Sequence, residues 1–302
     1  MSSRRRTRPM TLALIGFVCL CACQYHAGLP GTAPTPEEIA SRPEATVVVA
    51  TTPAALPSPT ATAEGEKVII TVVYDNNVYD PRLQTAWGFG CVVERGETTI
   101  LFDTGGDGEI LLSNMAALGL DPRAVDVVVL SHIHGDHTGG LGDLLATGVR
   151  PTVYVPKTFP VSFKTQVKAI TALQEVDEAQ EISSGIHTTG QMGTNIVEQA
   201  LVIETTQGLV VITGCAHPGI TELVHHAGQI GKKGVYLVLG GFHLGSASRN
   251  RIESIVADFR EMGVHKVAPC HCTGDQAIAM FRSEYGDDFI KNGAGKILEI
   301  TP

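Results

Sequence analysis

The sequence predicts an α/β fold in which two sheets pack against each other with helices outside, a four-layer αββα sandwich. Two observations lead there. Strand-like runs open each half of the folded region and helix-like periodicity follows them. The chain has 302 residues, 43% of them hydrophobic, enough for a buried core of that size. The polar chemistry is concentrated in one stretch. In Ser131-His132-Ile133-His134-Gly135-Asp136-His137-Thr138-Gly139-Gly140, three histidines and a carboxylate fall directly after an apolar run, Val125 to Leu130.

The N-terminal part reads as unfolded. Arg4, Arg5, Arg6 and Arg8 precede an apolar run from Met10 to Leu20. A charged start followed by so short an apolar segment is an export signal; a membrane-spanning helix needs about 20 residues. The run ends in Leu20-Cys21-Ala22-Cys23, which resembles the lipidation box of bacterial lipoproteins and implies that Cys23 carries a lipid. Residues 1–23 are therefore expected to be a lipoprotein-type signal peptide. Residues 24–66, rich in Pro, Ala and Thr, are expected to be a tether without a core of their own. The expected location is outside the cytoplasm, on a membrane through the lipid anchor.

The folded domain is expected over 67–302. Val68 to Val73, Cys91 to Val93 and Thr98 to Phe102 have the composition of strands. Glu109 to Leu118 has helical spacing and ends at Gly119; Val125 to Leu130 is the strand that leads into the histidines. A short helix near Leu141 to Ala146 and a strand Thr152 to Val155 follow, and Lys157 to Glu181 reads as helix and loop. In the second half, Ile196 to Glu204 and Leu209 to Thr213 form a hairpin around Thr206-Gln207-Gly208. Pro218 to His226 is helical, Val235 to Leu239 a strand, and Ser248 to Met262 an amphipathic helix. A last helix and the strand Ile297 to Ile300 close the domain.

Imidazole and carboxylate are ligands that borderline divalent metals prefer. His132 and His134, two apart on extended backbone, point the same way, and Gly135 lets the chain turn so that Asp136 and His137 can face the same centre. The net charge of −9 argues against nucleic acid as a partner. Of seven cysteines, Cys19, Cys21 and Cys23 lie in the leader, and the remaining four do not make a disulfide framework. No phosphate-binding lysine loop or dinucleotide glycine fingerprint is present.

His132-x-His134-x-Asp136-His137 followed by Thr138-Gly139-Gly140-Leu141 resembles the motif of the metallo-β-lactamase superfamily, and Phe102-Asp103-Thr104-Gly105 resembles its upstream acidic strand end. Thr213-Gly214-Cys215-Ala216-His217-Pro218, Gly240-Gly241-Phe242-His243-Leu244 and Pro269-Cys270-His271-Cys272-Thr273-Gly274 resemble a subgroup of it. That subgroup is the archaeal dihydropterin ribofuranosyl-aminobenzene phosphate synthases and their bacterial relatives.

The resemblance implies one or two divalent ions, zinc foremost, with manganese and iron compatible with the same residues. It implies His132, His134 and His217 on one ion and Asp136, His137 and His271 on the other, with Asp136 also orienting the nucleophile. Two departures stand out. Thr188-Thr189-Gly190-Gln191 replaces the usual Thr-x-Gly-His, so His217 is the substitute ligand. Gly214-Cys215 replaces the usual Gly-Asp, and the sequence leaves open whether Cys215 ligates as a thiolate. Asp103 is expected either to fix a histidine tautomer or to be a strand-end turn residue. His243 is expected at the pocket rim, as a substrate contact or a plain strand-end residue, while Cys270 and Cys272 are read by alternation as packing residues. A helix N-terminus just after His217 would keep that ring neutral.

The activity so implied is a metal-dependent hydrolase or related transferase. It would act on a small phosphorylated or ester-like substrate with water whose pKa a metal lowers from about 15.7 towards 7. The alternative is a metal-binding or sensing lipoprotein without turnover. The export signal argues against the archaeal synthase reaction itself.

Overall fold

The structure is a computed structural model, and it describes residues 65–301. The signal peptide, the lipidated Cys23 and all but the last two residues of the tether lie outside the described residues.

Among the described residues, thirteen strands form two sheets. The first takes β1 (Val68–Asp75), β2 (Phe89–Arg95), β3 (Thr98–Phe102), β4 (Val127–Val129), β5 (Thr152–Pro156) and β6 (Leu173–Val176) in chain order, with β13 (Ile297–Ile300) added beside β1. The second runs β7 (Glu178–Ser183), β8 (Ile186–Gly190), β9 (Leu201–Thr205), β10 (Gly208–Thr213), β11 (Val235–Gly241) and β12 (Lys266–Cys270). Seven α-helices among the described residues complete the fold: α1 (Gly108–Ala117), α2 (Gly135–Thr138), α3 (Leu141–Ala146), α4 (Val161–Lys168), α5 (Ile220–Gly231), α6 (Arg249–Glu261) and α7 (Asp275–Tyr285).

Alternation along the strands makes the layers. Ile70, Phe89, Ile100 and Phe102 of the first sheet meet Leu201, Val210, Ile212 and Leu239 of the second, forming the inter-sheet core. The other face of the first sheet, with Val73, Leu101 and Val128, packs on Leu111 and Met115 of α1 and Leu144 of α3. The other face of the second sheet, with Val211 and Val238, packs on Leu223 of α5, Phe259 of α6 and Phe281 of α7. The expected four layers are therefore present.

Two stretches differ from expectation. Lys157 to Glu181 contains the helix α4, but Leu173–Val176 and Glu178–Ser183 are strands, β6 and β7. Both are sheet edges with polar residues outward (Gln174 and Glu175; Glu178, Gln180 and Glu181), so the apolar alternation that marks a half-buried strand is missing. The strand expected from Ile196 begins only at Leu201, because Glu198 and Gln199 turn inward as buried polar residues.

The topology also sets the site. β3, β4 and β5 run parallel in the first sheet, and β10, β11 and β12 run parallel in the second. Asp103 follows β3, the histidine motif follows β4, and the loops of Cys215–His217, His243 and His271 follow β10, β11 and β12. All these residues lie past the carboxyl ends of parallel strands, the usual place for an α/β site.

Candidate metal centre

The first ligand candidates hang on Asp103, which is fully buried and held in the left-handed region at φ +56°. Its Oδ1 accepts the Ser131 amide at 2.7 Å, and its Oδ2 accepts the Ser131 hydroxyl at 2.7 Å. The same Oδ2 lies 2.7 Å from His137 Nδ1. Burial pushes the Asp103 carboxyl up, opposed by His137 and Ser131. Burial also disfavours a charged His137 ring, but Asp103 outweighs it and raises that ring. Two Ser131 donors already favour the carboxylate, so the shared proton belongs on Nδ1, leaving His137 Nε2 free to face the centre.

Ser131 passes the same constraint to His132. Having given its one hydrogen to Asp103, the Ser131 oxygen accepts from His132 Nδ1 at 2.9 Å, which leaves His132 Nε2 with a lone pair. That nitrogen lies 3.1 Å from His134 Nδ1. Burial holds the His132 ring down to about 2, and burial lowers His134 as well, so neither competes for protons at neutral pH. Gly214 makes this approach possible: a Cβ there would run into Ser131 Oγ and sit 2.8 Å from Asp103 Oδ2.

His217 is organised by Glu198, a residue that sequence reasoning missed. Glu198 Oε1 accepts the amides of Cys215 at 2.9 Å and Ala216 at 2.8 Å. Its Oε2 accepts the His217 amide and His217 Nδ1, both at 2.9 Å. Burial opposes the charge, but these donors and His132 outweigh it and hold the Glu198 carboxyl down to about 2. The signal was a glutamate inside the apolar run Ile196-Val197-Glu198-Gln199-Ala200-Leu201. The expected helix-terminus effect on His217 is corrected accordingly: α5 starts at Ile220, and the ring is oriented by Glu198 instead.

The second group gathers around Asp136. Its Oδ2 lies 3.6 Å from His137 Nε2 and 3.5 Å from His271 Nε2. Burial works against its charge, but the His271 contact and the charges of His137 and His271 hold the carboxyl well below the usual range. Asn76 fixes His271, its Oδ1 2.8 Å from His271 Nδ1 and its Nδ2 donating to the His271 carbonyl at 3.3 Å. Trp87 covers the ring at 4.8 Å between centroids. His271 Nε2 is buried and has no hydrogen-bond partner among the described residues.

Cys215 lies between the groups. Its Sγ is 3.3 Å from His137 Nε2. It belongs both to a set with His132 and His217 and to a set with His137 and His271, each with all ligand atoms within 4.8 Å of one another. The Cys272 sulfur beside it, which favours the thiolate, and then burial raise the Cys215 thiol above its ordinary range, so Cys215 is protonated until a cation displaces the proton.

The residues fit a divalent ion. Around a tetrahedral zinc, nitrogen ligands stand about 3.3 Å apart and a sulfur–nitrogen pair about 3.6 Å. The separations of 3.1 Å for His132–His134, 3.3 Å for Cys215–His137 and 3.5 Å for Asp136–His271 lie close to those edges. The orphaned His271 Nε2 is the atom such an ion would satisfy.

The remaining candidates divide. His243, exposed and at φ +54°, stands at the rim with its ring 4.5 Å from that of His217. Cys270 packs between the sheets, 3.3 Å from Asn292 Nδ2. Cys272 does not pack away from the site as alternation predicted; it joins Cys215 and His243 in a third cluster of ligand atoms. The strand β12 ends at Cys270 and His271 takes φ +49°, so the two-residue alternation no longer applies beyond it. Gln191, at the expected place of the lost histidine, is tied to Asp177 at 2.6 Å. His187 pairs with Glu204 and His226 with the Thr189 carbonyl, both apart from the cluster.

Beside His271 a cleft of about 230 Å³ is lined by Asn76, Asn77, Trp87 and Gly274. A second hollow of about 390 Å³ shares Asn76, Asn77, Asp275 and Ile278 with it and reaches Arg282 and Lys291. The larger hollow between α6 and α7 shares no residue with the candidate ligands.

Comparison with known proteins identifies the family. Residues 91–229 match the sequence model described as the metallo-beta-lactamase superfamily. The chain is 32% identical over 246 residues to the 7,8-dihydropterin-6-methyl-4-(beta-D-ribofuranosyl)-aminobenzene-5'-phosphate synthase of Methanocaldococcus jannaschii; the match takes in 66% of this chain and 84% of that one. It superimposes on Tm1679, described as a metal-dependent hydrolase of the beta-lactamase superfamily, with TM-score 0.65 and 29% identity over 78% of this chain and 100% of that one. YhfI of Bacillus subtilis, a metallo-beta-lactamase fold protein, shares the fold at 15% identity and TM-score 0.60, over 78% of this chain and 99% of that one. Two sheets between helices, an HxHxDH run at the end of β4 and agreement over most of the synthase's length make this chain a member of the metallo-β-lactamase superfamily.

Proposed function

We propose that the chain is a metal-dependent hydrolase acting on a small phosphorylated or ester-like molecule. The observation that carries this is the pair of ligand sets, His132/His217 and His137/His271, meeting at one Cys215 sulfur beside an open cleft. His134 and Asp136 complete them, and zinc suits the mixture of imidazole, carboxylate and thiol.

When bound, the divalent ion supplies Lewis-acid charge and a water acidic enough to react at neutral pH. The chain supplies the rest. Asp136, ionised throughout the physiological range, accepts a hydrogen bond from the attacking water and aims it. Asn76 and Asp103 lock the tautomers of His271 and His137 so that both Nε2 atoms face inward. Trp87, 60% exposed, offers an apolar wall to the substrate. Arg282 and Lys291, at the far end of the joined hollows, offer charge to an anionic group. Arg282 lies seven residues along α7 from Asp275, about 10 Å at the helical rise, so that group stands well away from the reacting bond.

Export and lipid anchoring at Cys23 are part of the same proposal. They rest on the arginines before Met10, the apolar run to Leu20 and the Leu20-Cys21-Ala22-Cys23 sequence. Mass spectrometry of the mature N-terminus should find acylated Cys23, and Cys23→Ser should release the protein from membranes; an intact Met1 would refute it.

The activity is tested by turnover of metal-loaded protein on phosphodiesters, phosphomonoesters, lactones and β-lactams, with His134→Ala as control. Hydrolysis lost in H134A supports the proposal. Activity surviving in H134A overturns the site, and no turnover of any compound favours a metal-binding role instead.

A further inference from the structure

We propose that Cys215, His243 and Cys272 form a further metal subsite, selective for a thiophilic ion such as zinc(II) or cadmium(II). Two thiols and one imidazole place their ligand atoms within 4.8 Å of one another. A tetrahedral zinc with two thiolates and an imidazole has ligand separations of about 3.6–3.8 Å, so a movement of roughly 1 Å closes the cluster. His243 is exposed and can make that movement.

The chain makes room for the second thiol. An alanine Cβ at Gly241 would run into the Gly214 carbonyl oxygen and come within 2.7 Å of Cys272 Sγ, so the glycine at the end of β11 keeps both approaches open. The loop is also pinned in register. Gly245 N donates to the Cys272 carbonyl at 3.2 Å, and Phe242 N to Thr273 Oγ1 at 3.1 Å. Cys272 is 9% exposed and Cys215 4%, while His243 opens to solvent, so an ion reaches the buried sulfurs from the His243 side.

This subsite differs from the two histidine-rich sets in chemistry and shares one atom with them. Those sets combine imidazole and carboxylate with one sulfur, whereas this one offers two sulfurs and selects softer ions. Because Cys215 Sγ is common to all three, an ion held here can pass to either neighbouring set without the sulfur letting go. Binding takes both sulfurs as thiolates, so the proton held on Cys215 leaves to solvent when a divalent ion is taken up.

The test reads the sulfur ligands and needs no turnover, so it stands apart from the hydrolase proposal. Chelator-stripped full chain is titrated to saturation with cobalt(II), and the near-ultraviolet sulfur-to-cobalt absorption is compared with that of Cys272→Ser and His243→Ala. C272S should lower the saturated band by roughly a third to a half, as expected when one of two thiolates is removed. H243A should keep the band but require about tenfold more cobalt to reach it. A band unchanged in C272S overturns the proposal. Since C272S could disturb folding, X-ray absorption of the unaltered protein with one equivalent of cadmium(II) gives a second reading. Two sulfurs per ion support the subsite, and one or none overturns it.

Discussion

Glu198 Oε2 takes two hydrogen bonds from His217, one from its backbone amide and one from Nδ1, both at 2.9 Å. With Oε1 on the Cys215 and Ala216 amides, one buried carboxylate shapes the whole loop after β10 and leaves His217 Nε2 free.

A stability prediction follows from this carboxylate. Its folded value, about 2, lies below the ordinary 4.5, so its contribution is complete above about pH 4.5 and is lost as pH falls towards 2. The gap corresponds to about 3 kcal/mol. Acid unfolding of the metal-free protein should steepen across that window. Glu198→Gln, which leaves part of the donor set unmatched, should be less stable at pH 7 by about 3 kcal/mol and flatter between pH 4.5 and 2.

Asp103 touches both ligand groups, His137 directly and His132 through Ser131. Asp103→Asn should weaken binding of every ion by about 10–100-fold in chelator competition. Ser131→Ala should weaken chiefly the ion held by His132. Equal loss at both positions in S131A would contradict the relay.

Cys215 carries a proton that metal binding must remove. Apparent affinity should therefore rise with pH, about tenfold per unit for each proton released. Titration calorimetry in buffers of different ionisation enthalpy counts those protons, and Cys215→Ser should release fewer. Cys215→Asp should move the preference from zinc and cadmium towards manganese.

Charge at the far end of the cleft should affect binding more than chemistry. Arg282→Ala with Lys291→Ala should raise KM for a phosphorylated substrate about tenfold with kcat nearly unchanged. An uncharged ester of similar size should show no such change.

Much of this was legible in the sequence, for identifiable reasons. The interior strands alternate or run apolar, and His132-x-His134-x-Asp136-His137 keeps its ligands within six positions, so local pattern sufficed. The edge strands β6 and β7 escaped because their outward residues are polar. Glu198 escaped because its partners, Cys215 to His217, lie 17 to 19 residues on, and only the fold brings them together. Cys272 was misplaced because alternation was carried past a residue with positive φ.

The candidate ligands are divided between the two sheets: His132, His134, Asp136 and His137 follow β4, whereas Cys215, His217 and His271 follow β10 and β12. An ion gripped from both sides rivets the halves of the sandwich at one end. Sliding or splaying of one sheet over the other then requires the ion to leave first. Metal loading should thus govern the mechanical rigidity of the whole domain, and proteases should cut the stripped protein sooner than the loaded one.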